Sequence, residues 1–70
     1  MKSLLKTSWD LIEKAIEDML NEHMRAWGWY DYFVVNDVTV LVKVFDENDE
    51  VRFTIKAKLN GEKLEVVEVS

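Results

Sequence analysis

Cysteine, proline and glutamine are all absent from this 70-residue chain. Without cysteine there is no disulfide and no thiolate metal site, and the single histidine, His23, is too few for an imidazole-based one. Long apolar runs are missing as well. None approaches the ~20 residues of a membrane span, and the opening Met1-Lys2-Ser3-Leu4-Leu5-Lys6 is too short for a secretory leader, so a soluble, cytoplasmic-type chain with no membrane partner is expected. There is no excess of cations: nine Lys and Arg against fourteen Asp and Glu give a net charge of -5, which disfavours duplex nucleic acid. The sequence has no phosphate loop, no Gly-rich dinucleotide turn, no His-Glu-x-x-His pair and no EF-hand loop. Asp46-Glu47-Asn48-Asp49-Glu50 lacks the glycine and ligand spacing of a calcium loop and reads as a solvated hairpin turn. No catalytic residue, metal ligand or cofactor is predicted.

What is present suits one small packed domain spanning residues 1–70, with 49% hydrophobic and 33% charged residues. A chain of this length can bury roughly 60% of its unfolded surface around one core. Thr7 or Ser8 can cap a helix whose first turn holds Asp10 and Glu13, and the pattern continues to about Trp27. At 100° per residue, Leu5, Trp9, Ile12, Ile16, Met19, Leu20, His23 and Trp27 fall on one stripe, the expected buried face. Gly28 is expected to end the helix in the left-handed conformation. Composition then turns β-branched and aromatic, predicting strands over 29–35, 38–46, 50–59 and 62–69. They are separated by Asn36-Asp37, Glu47-Asn48-Asp49 and Asn60-Gly61. Hairpin-length connections require antiparallel neighbours, so the expected fold is α+β in two layers: one amphipathic N-terminal helix on a four-stranded meander of order 1-2-3-4.

Reading each turn as a two-residue loop pairs Val35 with Val38, Phe33 with Val40, Asp31 with Val42 and Trp29 with Val44. It then pairs Val44 with Val51, Val42 with Phe53 and Val40 with Ile55, and finally Ala57 with Leu64 and Ile55 with Val66. Two candidate sites follow. On the outer sheet face, Tyr30, Tyr32, Val34, Leu41, Phe45, Val67 and Val69 form an apolar patch where polar residues belong, which suggests a homodimer or another protein partner. On the inner side, His23 and Asp31 point at one core, a pairing that suggests a small-molecule pocket walled by Trp9, Trp27 and Trp29. The last helical turn also suits an exposed imidazole, and a bulge between Trp29 and Phe33 would turn Asp31 outward. Glu68 likewise faces inward unless a bulge occurs at Val66-Val67. Lys43, Arg52, Lys56 and Lys58 share the outer face with Tyr30, Tyr32 and Phe45, which is a third reading, a single-strand nucleic-acid platform.

The two glycines sit where idealised backbone rules put them, after the helix and in the Asn60-Gly61 hairpin. On this ground, and on the turns Asp46-Glu47-Asn48-Asp49 and Leu59-Asn60-Gly61-Glu62-Lys63-Leu64, the chain resembles idealised, de novo designed α+β scaffold proteins. A thermophile protein would share the avoidance of Cys and Gln. The order of elements is also similar to the cystatin-type wrap of a sheet around a helix. The resemblance implies a structural or interaction scaffold rather than an enzyme.

Overall fold

The computed structural model describes residues 2–70. A 3-10 turn, Leu4–Lys6, precedes one helix, α1 (Trp9–His23). Four strands follow: β1 (Trp29–Asn36), β2 (Thr39–Phe45), β3 (Val51–Asn60) and β4 (Lys63–Val69). The strands form one antiparallel sheet in the order β1-β2-β3-β4, with α1 on one face, so the expected two-layer α+β fold is the observed one. Among the described residues no helix is long and apolar enough to cross a membrane.

The helix is shorter than its periodicity suggests. Ser8 stands at the N-cap in extended conformation, and its carbonyl accepts the Ile12 N–H (3.1 Å). Its hydroxyl makes no capping bond, and the Thr7 hydroxyl turns back to the Ser3 carbonyl. At the other end Met24 is extended, and its N–H closes the last turn on the Leu20 carbonyl (2.8 Å). Fifteen helical residues span about 22 Å. Along the predicted stripe Ile12, Ile16, Met19 and Leu20, joined by Ala15, are buried and Trp27, beyond the helix end, is half-buried against the core, whereas Leu5, Trp9 and His23 are exposed. Leu4 enters the core in place of Leu5, because the 3-10 turn is moored by the Leu4 N–H to the Asp37 carbonyl (2.7 Å).

Gly28 does not take the expected left-handed conformation; among the described residues only Asp49 (φ 62°) and Gly61 (φ 63°) do. Glycine is needed at 28 for space. Its N–H donates to the Phe45 carbonyl (2.9 Å), and a Cβ there would lie 2.8 Å from the Asp46 carbonyl oxygen.

The β1–β2 register departs from the expected one. Asn36 pairs with Thr39, so Asp37-Val38 forms the loop, with Asn36 Oδ1 accepting the Val38 N–H (3.0 Å). A shift between Val34 and Asn36 leaves Val35 unpaired, and the rest of β1 pairs as Tyr30 with Val44, Tyr32 with Val42 and Val34 with Val40. This odd offset exchanges the two faces of the strand. Tyr30, Tyr32 and Val34 pack against the core, while Trp29, Asp31 and Phe33 look away, the reverse of expectation. The physical reason lies in Asp31. Facing inward it would bury an unpaired carboxylate, whereas inward tyrosines bury their rings and extend their hydroxyls past the core edge.

The β2–β3 pairing and the first half of β3–β4 differ from expectation by two residues, which preserves the faces. Val40, Val42 and Val44 oppose Ala57, Ile55 and Phe53. Asn60 pairs with Lys63, so the loop is Gly61-Glu62, and Leu59 opposes Leu64. The register then shifts at Ala57 and Lys56, leaving Val67 unpaired, so Glu68 opposes Lys56 on the outer face and Val69 opposes Ile55 on the inner one. The core is Leu4, Ile12, Ala15, Ile16, Met19 and Leu20 against Val40, Val42, Val44, Ile55, Ala57 and Leu64.

Candidate interaction surface

The outer face is built from cross-strand rows. Trp29 lies opposite Phe45, and their rings stack in parallel, with centroids 4.0 Å apart and planes 4° apart. The next row runs Asp31, Lys43, Thr54, and the next Phe33, Leu41, Lys56, Glu68; Lys58 opposes Glu65 beyond them. The face is therefore divided. Its β1–β2 half is mostly apolar, with Phe33 59% exposed, and its β3–β4 half carries opposed Lys and Glu.

The apolar half is rigidly supported. Trp29 Nε1 donates to Asp49 Oδ1 (2.9 Å), which ties the start of β1 to the β2–β3 turn. That turn is organised by Asp46, whose Oδ1 accepts the N–H groups of Asn48 (2.8 Å) and Glu50 (3.1 Å). The Glu50 N–H above all, then the Asn48 N–H and the Arg52 guanidinium (3.7 Å), hold the Asp46 carboxyl below the usual carboxylate range.

Of the seven residues expected on this face, Leu41 and Phe45 are there. Tyr30, Tyr32 and Val34 belong to the helix side through the β1 offset, Val69 through the bulge in β4, and Val67 is the unpaired bulge residue, exposed. Trp29 and Phe33, which a two-residue Asn36-Asp37 loop would place on the core side, complete the patch. The available signal was Asp31, which shares their alternation and cannot be buried cheaply.

The pocket residues are not brought together. His23 is exposed at the end of α1, and Asp31 lies on the far face of the sheet, where its carboxylate accepts the Tyr32 N–H (2.9 Å). The tryptophans are dispersed. Trp9 leans on Tyr32 (6.0 Å between centroids), Trp27 meets Tyr30 edge-on (5.5 Å) with its Nε1 on Asn21 Oδ1 (3.2 Å), and Trp29 is on the outer face. The inward tyrosines reach α1: Tyr30 donates to Glu17 Oε2 (2.9 Å) and Tyr32 to Glu13 Oε2 at the long distance of 3.5 Å. Burial raises the pKa of both phenols. For Tyr30 the hydrogen bond to Glu17 adds to it, and for Tyr32 the charge of Glu13 does.

The nucleic-acid platform loses two of its three aromatics, Tyr30 and Tyr32, to the inner face, and Lys43 stands opposite Asp31, Lys56 opposite Glu68 and Lys58 opposite Glu65. Among the described residues no group of three or more His, Cys, Asp and Glu is placed to hold a metal ion. Comparison of the chain with protein-family models, with curated proteins and with solved structures found no match.

Proposed function

We propose that this protein is a structural scaffold of the idealised α+β kind that self-associates weakly through the β1–β2 half of its outer sheet face. The observation that carries the reading is the parallel Trp29–Phe45 stack and, beyond the Asp31–Lys43 row, the exposed Phe33, on a face that no helix covers. Aromatic rings already fixed in place lose little entropy on docking, which favours them as contact residues. A second copy is the natural occupant, because a two-fold axis along the strands of this half sets its two apolar rows against those of the partner and brings Asp31 of the middle row opposite the partner's Lys43. The same arrangement leaves Lys56, Lys58, Glu65 and Glu68 in water.

The patch is small. Two strands by five residues cover on the order of 200 Å² of sheet plane, against ~800 Å² per partner in a standard interface. Association is therefore expected only toward millimolar concentration. Sedimentation equilibrium across a concentration series checks this. The wild type should gain mass at the highest concentrations, and Phe33→Glu should stay monomeric with unchanged circular dichroism. A strictly monomeric wild type at millimolar concentration sinks the proposal.

A further inference from the structure

Because α1 stops at His23, the end of the sheet that carries the β2–β3 turn has no helix above it. A cavity of about 660 Å³ opens there, between residues 24–28 and that turn, a volume in the range of small-molecule sites. Its apolar lining includes Met24, Trp27, Val44 and Phe53. Phe53 lies on the inner face opposite Val44 and is 42% exposed, an aromatic left half-covered on the side of the sheet that is otherwise core. The rim is unequal in charge. Asp46 and Glu47 line it with Arg52, whose guanidinium is engaged by Asp46 (3.7 Å), which leaves Glu47 as the remaining charge in the lining.

We propose that this cavity binds a small amphiphilic organic cation, its apolar body against Met24, Val44 and Phe53 and its ammonium group at the Glu47 rim, within reach of the Trp27 and Phe53 rings. The argument is charge complementarity. An apolar floor takes any hydrophobic body, but a rim with more carboxylates than guanidinium favours a positive head, and aromatic faces attract ammonium groups further. An anionic amphiphile of the same length would meet the same floor and be repelled at the rim.

Amide NMR titration of the full chain with octyltrimethylammonium, 1-octanol and octanoate, all below micelle formation and at protein concentrations low enough to keep the chain monomeric, tests this. Saturable shifts at Met24, Gly28, Val44 and Phe53 are expected, with the cation binding about tenfold more tightly than octanoate and that preference shrinking as salt is raised. Glu47→Lys, an exposed turn position, should remove the preference while leaving 1-octanol binding unchanged, and Phe53→Ser should weaken all three. Octanoate binding as tightly as the cation, shifts confined to Trp29, Phe33 and Phe45 on the other face, or no saturable shift with any probe would overturn the proposal.

Discussion

Tyr30 shows how one side chain spans two layers. Its ring packs on the core from β1, its edge meets Trp27, and its hydroxyl donates to Glu17 on α1. Burial and this hydrogen bond keep the phenol protonated above the ordinary pKa of 10.0. The folded state thus holds the proton to higher pH than the unfolded chain. The associated stability is fully present below about pH 10 and is lost as pH climbs through the folded value. Urea midpoints should fall on the alkaline side of pH 10, and Tyr30→Phe should lose about 1 kcal/mol at neutral pH and show a flatter alkaline limb. The same contact makes Glu17→Ala mildly destabilising, though Glu17 sits on the solvent side of the helix. Gly28 is the second position where one atom decides. Gly28→Ala places a methyl group 2.8 Å from the Asp46 carbonyl oxygen, which accepts the Asp49 N–H (3.2 Å) in the turn. Urea denaturation should show a loss of about 1–3 kcal/mol, in contrast with the usual gain from replacing glycine at an unstrained site.

At the scale of elements, α1 derives its stability from the sheet, since isolated helices of this length are marginal in water. Ile16, fully buried, should cost ~2–5 kcal/mol on change to Ala, whereas Leu11, 54% exposed on the same helix, should be nearly neutral. Equal losses in chemical denaturation would mean that a different face of α1 is buried. The strands show which periodic signals were legible. The inward set Val40, Val42, Val44, Ile55 and Ala57 followed from alternation alone, and its pairing could be wrong by two residues without moving a side chain to the other face. In β1 the alternation of Trp29-Tyr30-Asp31-Tyr32-Phe33-Val34 offers apolar residues in both phases. The unpaired Val35 and the Asp37-Val38 loop then set the phase, and neither has a composition of its own.

For the whole molecule, a sheet with one helix leaves one face to be accounted for, and charge is distributed accordingly. The opposed Lys and Glu of β3–β4 give that half a solvated surface, and the apolar β1–β2 half is where assembly is expected. If the dimer forms, thermal midpoints should rise with protein concentration for the wild type and not for Phe33→Glu, by mass action on the folded state. A scan over a hundredfold range of concentration measures this directly.

The sequence by itself determined the class of fold, the order of the elements and the central core positions of β2 and β3, but not that Val38, Val51 and Phe53 lie at its exposed margin. What it determined depends on periodicity and hairpin length, which are local properties of the chain. The candidate surface was legible only in part: Leu41 and Phe45 could be placed on the outer face, but Trp29 and Phe33 could not. Tertiary structure alone decided the phase of β1, the entry of Leu4 into the core and the purpose of Gly28. Each depends on contacts between residues distant in sequence, namely Tyr30 with Glu17, Leu4 with Asp37, and Gly28 with Phe45 and Asp46. Where two local patterns are nearly equal in free energy, it is such contacts, and the cost of burying one carboxylate, that select between them.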